Sequence, residues 1–220
     1  MLKNPGLYVH LPWCLSKCPY CDFNSHAVRG TAPMDAYTGA LIKDLTDQVA
    51  RFEPGPLGSV FFGGGTPSLF SPANIAQVIE AADTMIGVNP DAEITLEANP
   101  GASEHASFSA YRAAGVNRIS LGVQSYSDEQ LKLLGRIHDS AEADRAIAAI
   151  QASGIDNLNL DIMYGLPQQS VSAAVADIER AISAAPAHLS HYNLTIEPNT
   201  LFAVHRPDLP DDDACFEMLT

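Results

Sequence analysis

The sequence predicts an α/β protein built from parallel strands. Two observations carry the prediction. Apolar residues switch repeatedly between the two-residue period of a strand and the longer period of an amphipathic helix. Six strand-like runs appear in this alternation, and strands that alternate with helices pair in parallel through right-handed crossovers. A doubly wound open sheet and a partial or full β/α barrel both satisfy the pattern.

The elements follow in order. Gly6-Leu-Tyr-Val-His-Leu11 is the first strand, and residues 34–51 form a helix with Tyr37, Leu41, Leu45 and Val49 at spacing four. Ser59-Val-Phe-Phe62 is a short buried strand. Ser71-Pro72 supplies an N-cap and a proline at the first helical position, and Ile75, Val78, Ile79 and Ala82 give that helix its apolar face. Glu93-Ile-Thr-Leu-Glu97 is a strand, and residues 103–114 are a helix stopped by Gly115. Val116–Leu121 is the fourth strand. Ser127-Asp-Glu-Gln130 has the form of a capping box, opening a short helix that ends at Gly135. Residues 140–152 are helical, and Asn157–Met163 is the fifth strand. A helix carrying Val171, Val175, Ile178 and Ile182 stops before Pro186, and Leu189–Ile196 is the sixth strand. Pro207–Asp213 is a loop before a further helix start.

In such folds ligands bind at the C-terminal ends of the strands, and each strand here delivers polar chemistry to that end. The first is followed by three cysteines and the second by Gly63-Gly-Gly-Thr-Pro67. The third ends on Glu97, the fourth is followed by Gln124 and then Arg136, the fifth contains Asp161, and the sixth ends near Thr195. A lone glycine run is commonly a tight turn; beside a cysteine loop it lets a ligand approach bare backbone. Asp161 sits between Leu160 and Ile162, so its carboxylate needs a partner. Tyr8 is either a core residue or part of a site. His188 and His191, three apart in a strand, face opposite ways and read as structural or surface residues. Cys215 reads as a small buried hydrophobe.

Composition narrows the function classes. The net charge of −14 argues against a broad phosphate-binding surface, hence against nucleic acid as a partner. The N-terminus has no signal-peptide pattern, and no run reaches the ~18 apolar residues of a membrane span. The expectation is a soluble cytoplasmic protein in which clustered thiols stay reduced. Three of the four cysteines lie in Cys14-Leu-Ser-Lys-Cys-Pro-Tyr-Cys21, spaced C-x3-C-x2-C. Zinc would need a fourth ligand, for which His10 and His26 are near in sequence. Free structural thiols at this density are a reactive liability. An iron–sulfur cluster fits best, with one iron of a [4Fe–4S] cube left open to a ligand from outside the protein.

The cysteine loop with Tyr20 before its last thiol, followed by the Gly-Gly-Gly-Thr-Pro turn, resembles the radical S-adenosylmethionine superfamily. The match narrows with Tyr8-Val-His-Leu-Pro-Trp-Cys14, Cys21-Asp-Phe-Asn24, Glu97-Ala-Asn-Pro100, Ser120-Leu-Gly-Val-Gln-Ser125, Asp161-Ile-Met-Tyr-Gly-Leu-Pro167 and Leu194-Thr-Ile-Glu-Pro-Asn-Thr200. Together these resemble the family of oxygen-independent coproporphyrinogen III oxidase and the heme chaperone HemW. The resemblance implies an incomplete (β/α)6 barrel and a [4Fe–4S] cluster on Cys14, Cys18 and Cys21. It also implies an S-adenosylmethionine site lined by Tyr8, Tyr20, Gly64, Gly65, Thr66, Glu97, Gln124, Arg136, Asp161 and Thr195. The implied chemistry is one-electron cleavage of S-adenosylmethionine to a 5′-deoxyadenosyl radical.

Two departures separate the oxidase from the chaperone. The resembling oxidases carry a further cysteine two residues after the third ligand, where this chain has Phe23, and an extension before the first strand. Both favour the chaperone, with heme as cargo and heme proteins as acceptors, over oxidative decarboxylation of propionates. A zinc-stabilised binding module is the alternative of another class. Residues 1–205 are expected to form the radical core and 206–220 to begin a further C-terminal region, since the family continues well beyond this length.

Overall fold

The computed structural model describes residues 4–101 and 108–219. The first strand, β1, runs Gly6–Leu11. Two-residue strands β2 (Trp13–Cys14) and β3 (His26–Ala27) pair with each other across the cysteine loop. Then come α1 (Met34–Phe52), β4 (Leu57–Gly64), α2 (Pro72–Met85), β5 (Val88–Ala98) and α3 (Phe108–Ala113). The second half contains β6 (Arg118–Gln124), α4 (Asp128–Leu133), α5 (Ser140–Ala152), β7 (Asn157–Tyr164) and α6 (Val171–Ser183), then β8 (His188–Asn193), α7 (Leu201–Val204) and α8 (Asp212–Leu219).

The main sheet has six strands in the order β1-β4-β5-β6-β7-β8, every pair parallel. This order never reverses, which excludes the doubly wound alternative. Crossovers of the usual right hand then put all intervening helices on one face. The sheet curls with β1 and β8 as its unpaired margins, an incomplete (β/α)6 barrel. On the helix side α1 packs on α2, α2 on α3, and α3 on α5, while α6 holds α8. Among the described residues no helix is long and apolar enough to cross a membrane.

Strand alternation divides the two faces. Phe62, Leu96, Ile119, Leu121, Leu160 and Ile162 are fully buried in the core beneath the helices. The residues between them are polar: Glu97 on β5, Ser120 and Gln124 on β6, Asn159 and Asp161 on β7, Ser190 and Tyr192 on β8. Burying one face at about 25 cal/mol per Å² of apolar surface fixes the register, and the register in turn fixes which side chains meet in the concavity.

Several expectations are corrected. β4 and β5 are longer than expected; β5 starts at Val88, which pairs with Leu57 ahead of a register shift between the two strands. β8 stops at Asn193, short of Ile196. Residues 102–107 of the helix expected over 103–114 lie outside the described residues. Gly115, which ends that helix, has φ of 107°, a conformation open to glycine. At Ser127 only half of the capping box forms. Its side chain accepts from the Gln130 N–H, while the Gln130 amide donates to Pro167 O at 2.9 Å. Ser71 and Asn74 form a full box at the start of α2. On α6, Val175 and Ile182 are exposed, and Ala174, Asp177 and Ala181 are the buried face. Asp177 faces inward because Ser125 Oγ (2.7 Å) and the Tyr126 N–H (2.8 Å) donate to its carboxylate, fixing the loop after β6. Cys215 is partly buried beside Tyr164, Ala174 and Met218.

Candidate functional site

The thiol loop is fixed by backbone before any side chain acts. The Gly65 N–H donates to Leu11 O at 2.8 Å and the Thr66 N–H to Trp13 O at 2.7 Å, so the end of β4 clamps the entry to the loop. The His26 N–H donates to Pro12 O at 2.7 Å and the Val28 N–H to Cys14 O at 2.8 Å, clamping its exit. A Cβ on Gly65 would lie 2.6 Å from Trp13 O and 2.7 Å from the Pro12 carbonyl carbon, so only glycine permits this approach. Gly64 adds a φ of 118° and would meet the His10 ring at 2.7 Å. Lys17 closes the loop from outside, donating to the carbonyls of Phe23 (2.9 Å) and Ser25 (3.1 Å).

Cys14, Cys18 and Cys21 are half-buried, reduced and on the wall of one cavity of about 560 Å³. The same cavity is lined by Tyr20, Gly64, Gly65, Thr66, Glu97, Gln124, Arg136, Asp161 and Thr195. The structure therefore brings together every residue singled out in the sequence except Tyr8. The Tyr8 ring is 57% exposed, stacks on Phe61 and donates its hydroxyl to His10 Nδ1 at 3.0 Å, outside the cavity lining.

Two carboxylates and one guanidinium face each other across this cavity. Glu97 accepts from the Gly64 N–H at 3.2 Å. Burial pushes its pKa up to about 7, with the Gly64 N–H opposing and the Asp161 charge adding. Asp161 is also raised by burial, against hydrogen bonds from Asn159, Ser120 and Ser190 that favour its charged form. Arg136 donates to Gly122 O at 2.9 Å and to Asn99 Oδ1, and its Nη1 faces Cys18 Sγ. Its Nε is buried with no hydrogen-bond partner among the described residues. A buried orphan donor beside a thiol fits an anionic group brought by a ligand. Gln124 reaches the cavity from a φ of 71°, at the register shift between β6 and β7. That strained conformation turns its side chain inward, where it accepts from the Tyr192 hydroxyl.

The donor set fits a cluster that leaves one iron open: three thiols line one cavity, and charged groups of both signs line it with them. Among the described residues no three His, Cys, Asp or Glu side chains gather as ligands of a single ion. In a cube each thiolate takes its own iron, which spaces the sulfurs apart. Burial raises the Cys14 thiol, while bonds from Thr66 and Ser25 oppose the shift.

Sequence reasoning missed Ser120, Tyr192 and Lys17, and offered His10 only as a possible zinc ligand. Ser120 and Tyr192 line the cavity two residues from Gly122 and Leu194, so the two-residue period of β6 and β8 held that signal. Lys17 and His10 act through carbonyl oxygens, which no motif encodes. His10 Nε2 lies 2.8 Å from Asn24 O, tying β1 to the far end of the thiol loop.

The family model for the radical SAM superfamily matches residues 8–181. The chain is 50% identical over 220 residues to the heme chaperone HemW of Escherichia coli strain K12, covering 99% of this chain and 58% of that protein. It is 48% identical over 217 residues to HemW of Haemophilus influenzae, covering 97% and 57% of the two. The chain thus spans a little over half the length of these curated relatives. A solved structure of Escherichia coli coproporphyrinogen III oxidase (HemN), described as a radical SAM enzyme, superposes with a TM-score of 0.86 at 29% identity, over 99% of this chain and 51% of that one. The matched span reaches from β1 into α6 and takes in all three thiols, so the chain belongs to the radical SAM superfamily.

Proposed function

We propose that residues 1–205 are the cluster- and S-adenosylmethionine-binding core of a heme chaperone. The observation that carries this reading is the convergence of Cys14, Cys18 and Cys21 with the Gly64–Gly65 cradle and Arg136 on one cavity, in a chain half identical to a protein named a heme chaperone. When bound, a [4Fe–4S] cluster supplies single electrons and, through its open iron, a place for S-adenosylmethionine to react.

The chain's own residues do the rest. Arg136 has the donors for the ligand's carboxylate, and Glu97 and Asp161 have acceptors for its ammonium or ribose hydroxyls. Gly64 and Gly65 line the cavity, and their missing side chains let the thiol loop and His10 pack close to the end of β4. Tyr20, partly buried beside Phe202, gives an apolar wall against water. Thr195, bonded to Glu197 Oε1 at 2.8 Å, borders the cavity next to β8. Tyr8, bonded to His10 at 3.0 Å, lies outside the cavity lining.

The partners on this reading are S-adenosylmethionine, heme as cargo and the heme proteins that receive it. Three reduced thiols so close together belong in the cytoplasm. The oxidase is the second reading, favoured by the superposition on coproporphyrinogen III oxidase. Phe23 opposes it, standing where the resembling oxidases carry cysteine.

The deciding experiment pairs two measurements on protein reconstituted anaerobically with iron and sulfide. One is a spectral titration with hemin; the other is turnover of coproporphyrinogen III with a strong reductant, followed by porphyrin chromatography. Hemin binding without protoporphyrinogen supports the chaperone. Steady formation of protoporphyrinogen assigns the oxidase instead.

A further inference from the structure

The loop around the third thiol builds a second surface beside the cofactor cavity. Lys17, residues 22–27 and Arg29 line an open cavity of about 790 Å³. It shares Lys17, Asp22, Phe23 and Ser25 with the thiol cavity, so the two are neighbours across one wall. Phe23 is 60% exposed there, a large apolar ring presented to solvent at the end of a braced turn. His26 is exposed, yet its backbone is rigid: it pairs with Trp13 in the short ladder and donates to Pro12 O. Arg29 is exposed in the same lining, and neither it nor Lys17 forms an ion pair with a carboxylate among the described residues. Two of the three Lys17 donors are spent on loop carbonyls, leaving one. Asp22 is the one acid in the lining. In a chain with 26 acids and 12 Lys and Arg, two cations and an imidazole around one aromatic ring are a local reversal of charge.

We propose that this surface holds the heme, an inference that rests on the chaperone reading. The His26 imidazole is the axial ligand of the iron, Phe23 packs on the porphyrin face, and Lys17 and Arg29 receive the propionates. Each group matches one property of this ligand: a metal that takes imidazole, a flat aromatic face and two carboxylates. A small phosphate or an acidic peptide would use the cations and leave Phe23 and His26 without a role. The openness of the cavity suits a carrier, because one face of the bound heme stays accessible to the ligand of an acceptor. Transfer is then a ligand exchange. The bond from iron to His26 breaks as the acceptor's ligand bonds to iron, and the oxidation state of the iron does not change.

The test is a hemin titration of the reconstituted 220-residue chain, read at the Soret band, with His26→Ala, Phe23→Ser, Arg29→Glu and, as control, His205→Ala, an exposed histidine outside the lining of either cavity. Iron content shows that each variant keeps its cluster. His26→Ala should weaken hemin binding at least tenfold and change the Soret position, and added imidazole should restore the band. Metal-free protoporphyrin IX should bind His26→Ala and the unsubstituted protein alike, and bind Phe23→Ser more weakly. Hemin binding unchanged in His26→Ala would overturn this site while leaving the chaperone reading intact. Failure of the unsubstituted chain to bind hemin would overturn both.

Discussion

Arg136 carries its Nη1 to 3.6 Å from the sulfur of Cys18, joining two segments 118 residues apart in the chain. The same guanidinium bonds the end of β6 through Gly122 O and the turn after β5 through Asn99. One side chain therefore sets the thiol loop against two strand ends. A planar fork can make these contacts together; an ammonium cannot.

Arg136→Ala should weaken S-adenosylhomocysteine binding to the reconstituted protein by about 10- to 100-fold, the equivalent of about 1.5–3 kcal/mol for hydrogen bonds to a charged group. Arg136→Lys should fall between. Calorimetric titration measures both, and unchanged affinity in both would remove Arg136 from the ligand site.

Glu97 gives the cavity a pH dependence near neutrality. Its folded-state pKa of about 7 lies above the ordinary 4.5, so the folded protein holds that proton more tightly than the unfolded chain. The stability tied to it is complete below about pH 4.5 and is lost as pH rises through about 7. Glu97→Gln should therefore be more stable than the unsubstituted protein at pH 8, by on the order of 3 kcal/mol, and show no advantage at pH 4.5. Binding of a cationic ligand should strengthen from pH 6 to pH 8 and lose that slope in Glu97→Gln. Urea melts and titrations at the two pH values read these outcomes; a parallel pH profile in the variant would count against the assignment.

Gly65→Ala tests the clamp on the thiol loop. Its added methyl meets backbone atoms of Pro12 and Trp13 at 2.6–2.8 Å, and backbone cannot swing aside. The expected result is a displaced loop and loss of most bound iron, with little change in far-ultraviolet circular dichroism. Full iron content in Gly65→Ala would show that the approach is less tight than the geometry says.

The thiols themselves divide three to one. Reconstituted protein should carry about four irons per chain, as one open iron in a cube requires. Cys14→Ser, Cys18→Ser and Cys21→Ser should each lose the cluster and its visible absorbance. Cys215→Ser should keep both, since that sulfur packs beside Tyr164 and Met218 on the helix side of the sheet. Cluster loss in Cys215→Ser would replace the three-thiolate reading with a four-thiolate one.

Much of this was legible because local chemistry announces itself. Ser71-Pro72 marks a helix start, and Gly115 and Gly135 mark stops through positive φ. Glu97 and Asp161 stood out as carboxylates inside apolar strands. What stayed hidden was set by tertiary partners. Val175 and Ile182 read as a buried stripe, but Asp177 turns α6 the other way by accepting from Ser125 and Tyr126. Gln130 leaves its cap for the Pro167 carbonyl, a partner no local pattern names. The same cause hides His10, whose work is done through the backbone of Asn24.

The strand order has a temporal consequence. Because neighbours in the sheet are neighbours in sequence, the six strands are synthesised in the order in which they pair. The three thiols are synthesised first, yet the residues facing them arrive last: Arg136 on the loop beyond α4, Asp161 on β7, Tyr192 on β8. A nascent chain holds a bare thiol loop with no opposing wall. The full set of charges meets a cluster only once β7 and β8 are in place, so iron supplied to the folded chain should be retained better than iron supplied during synthesis.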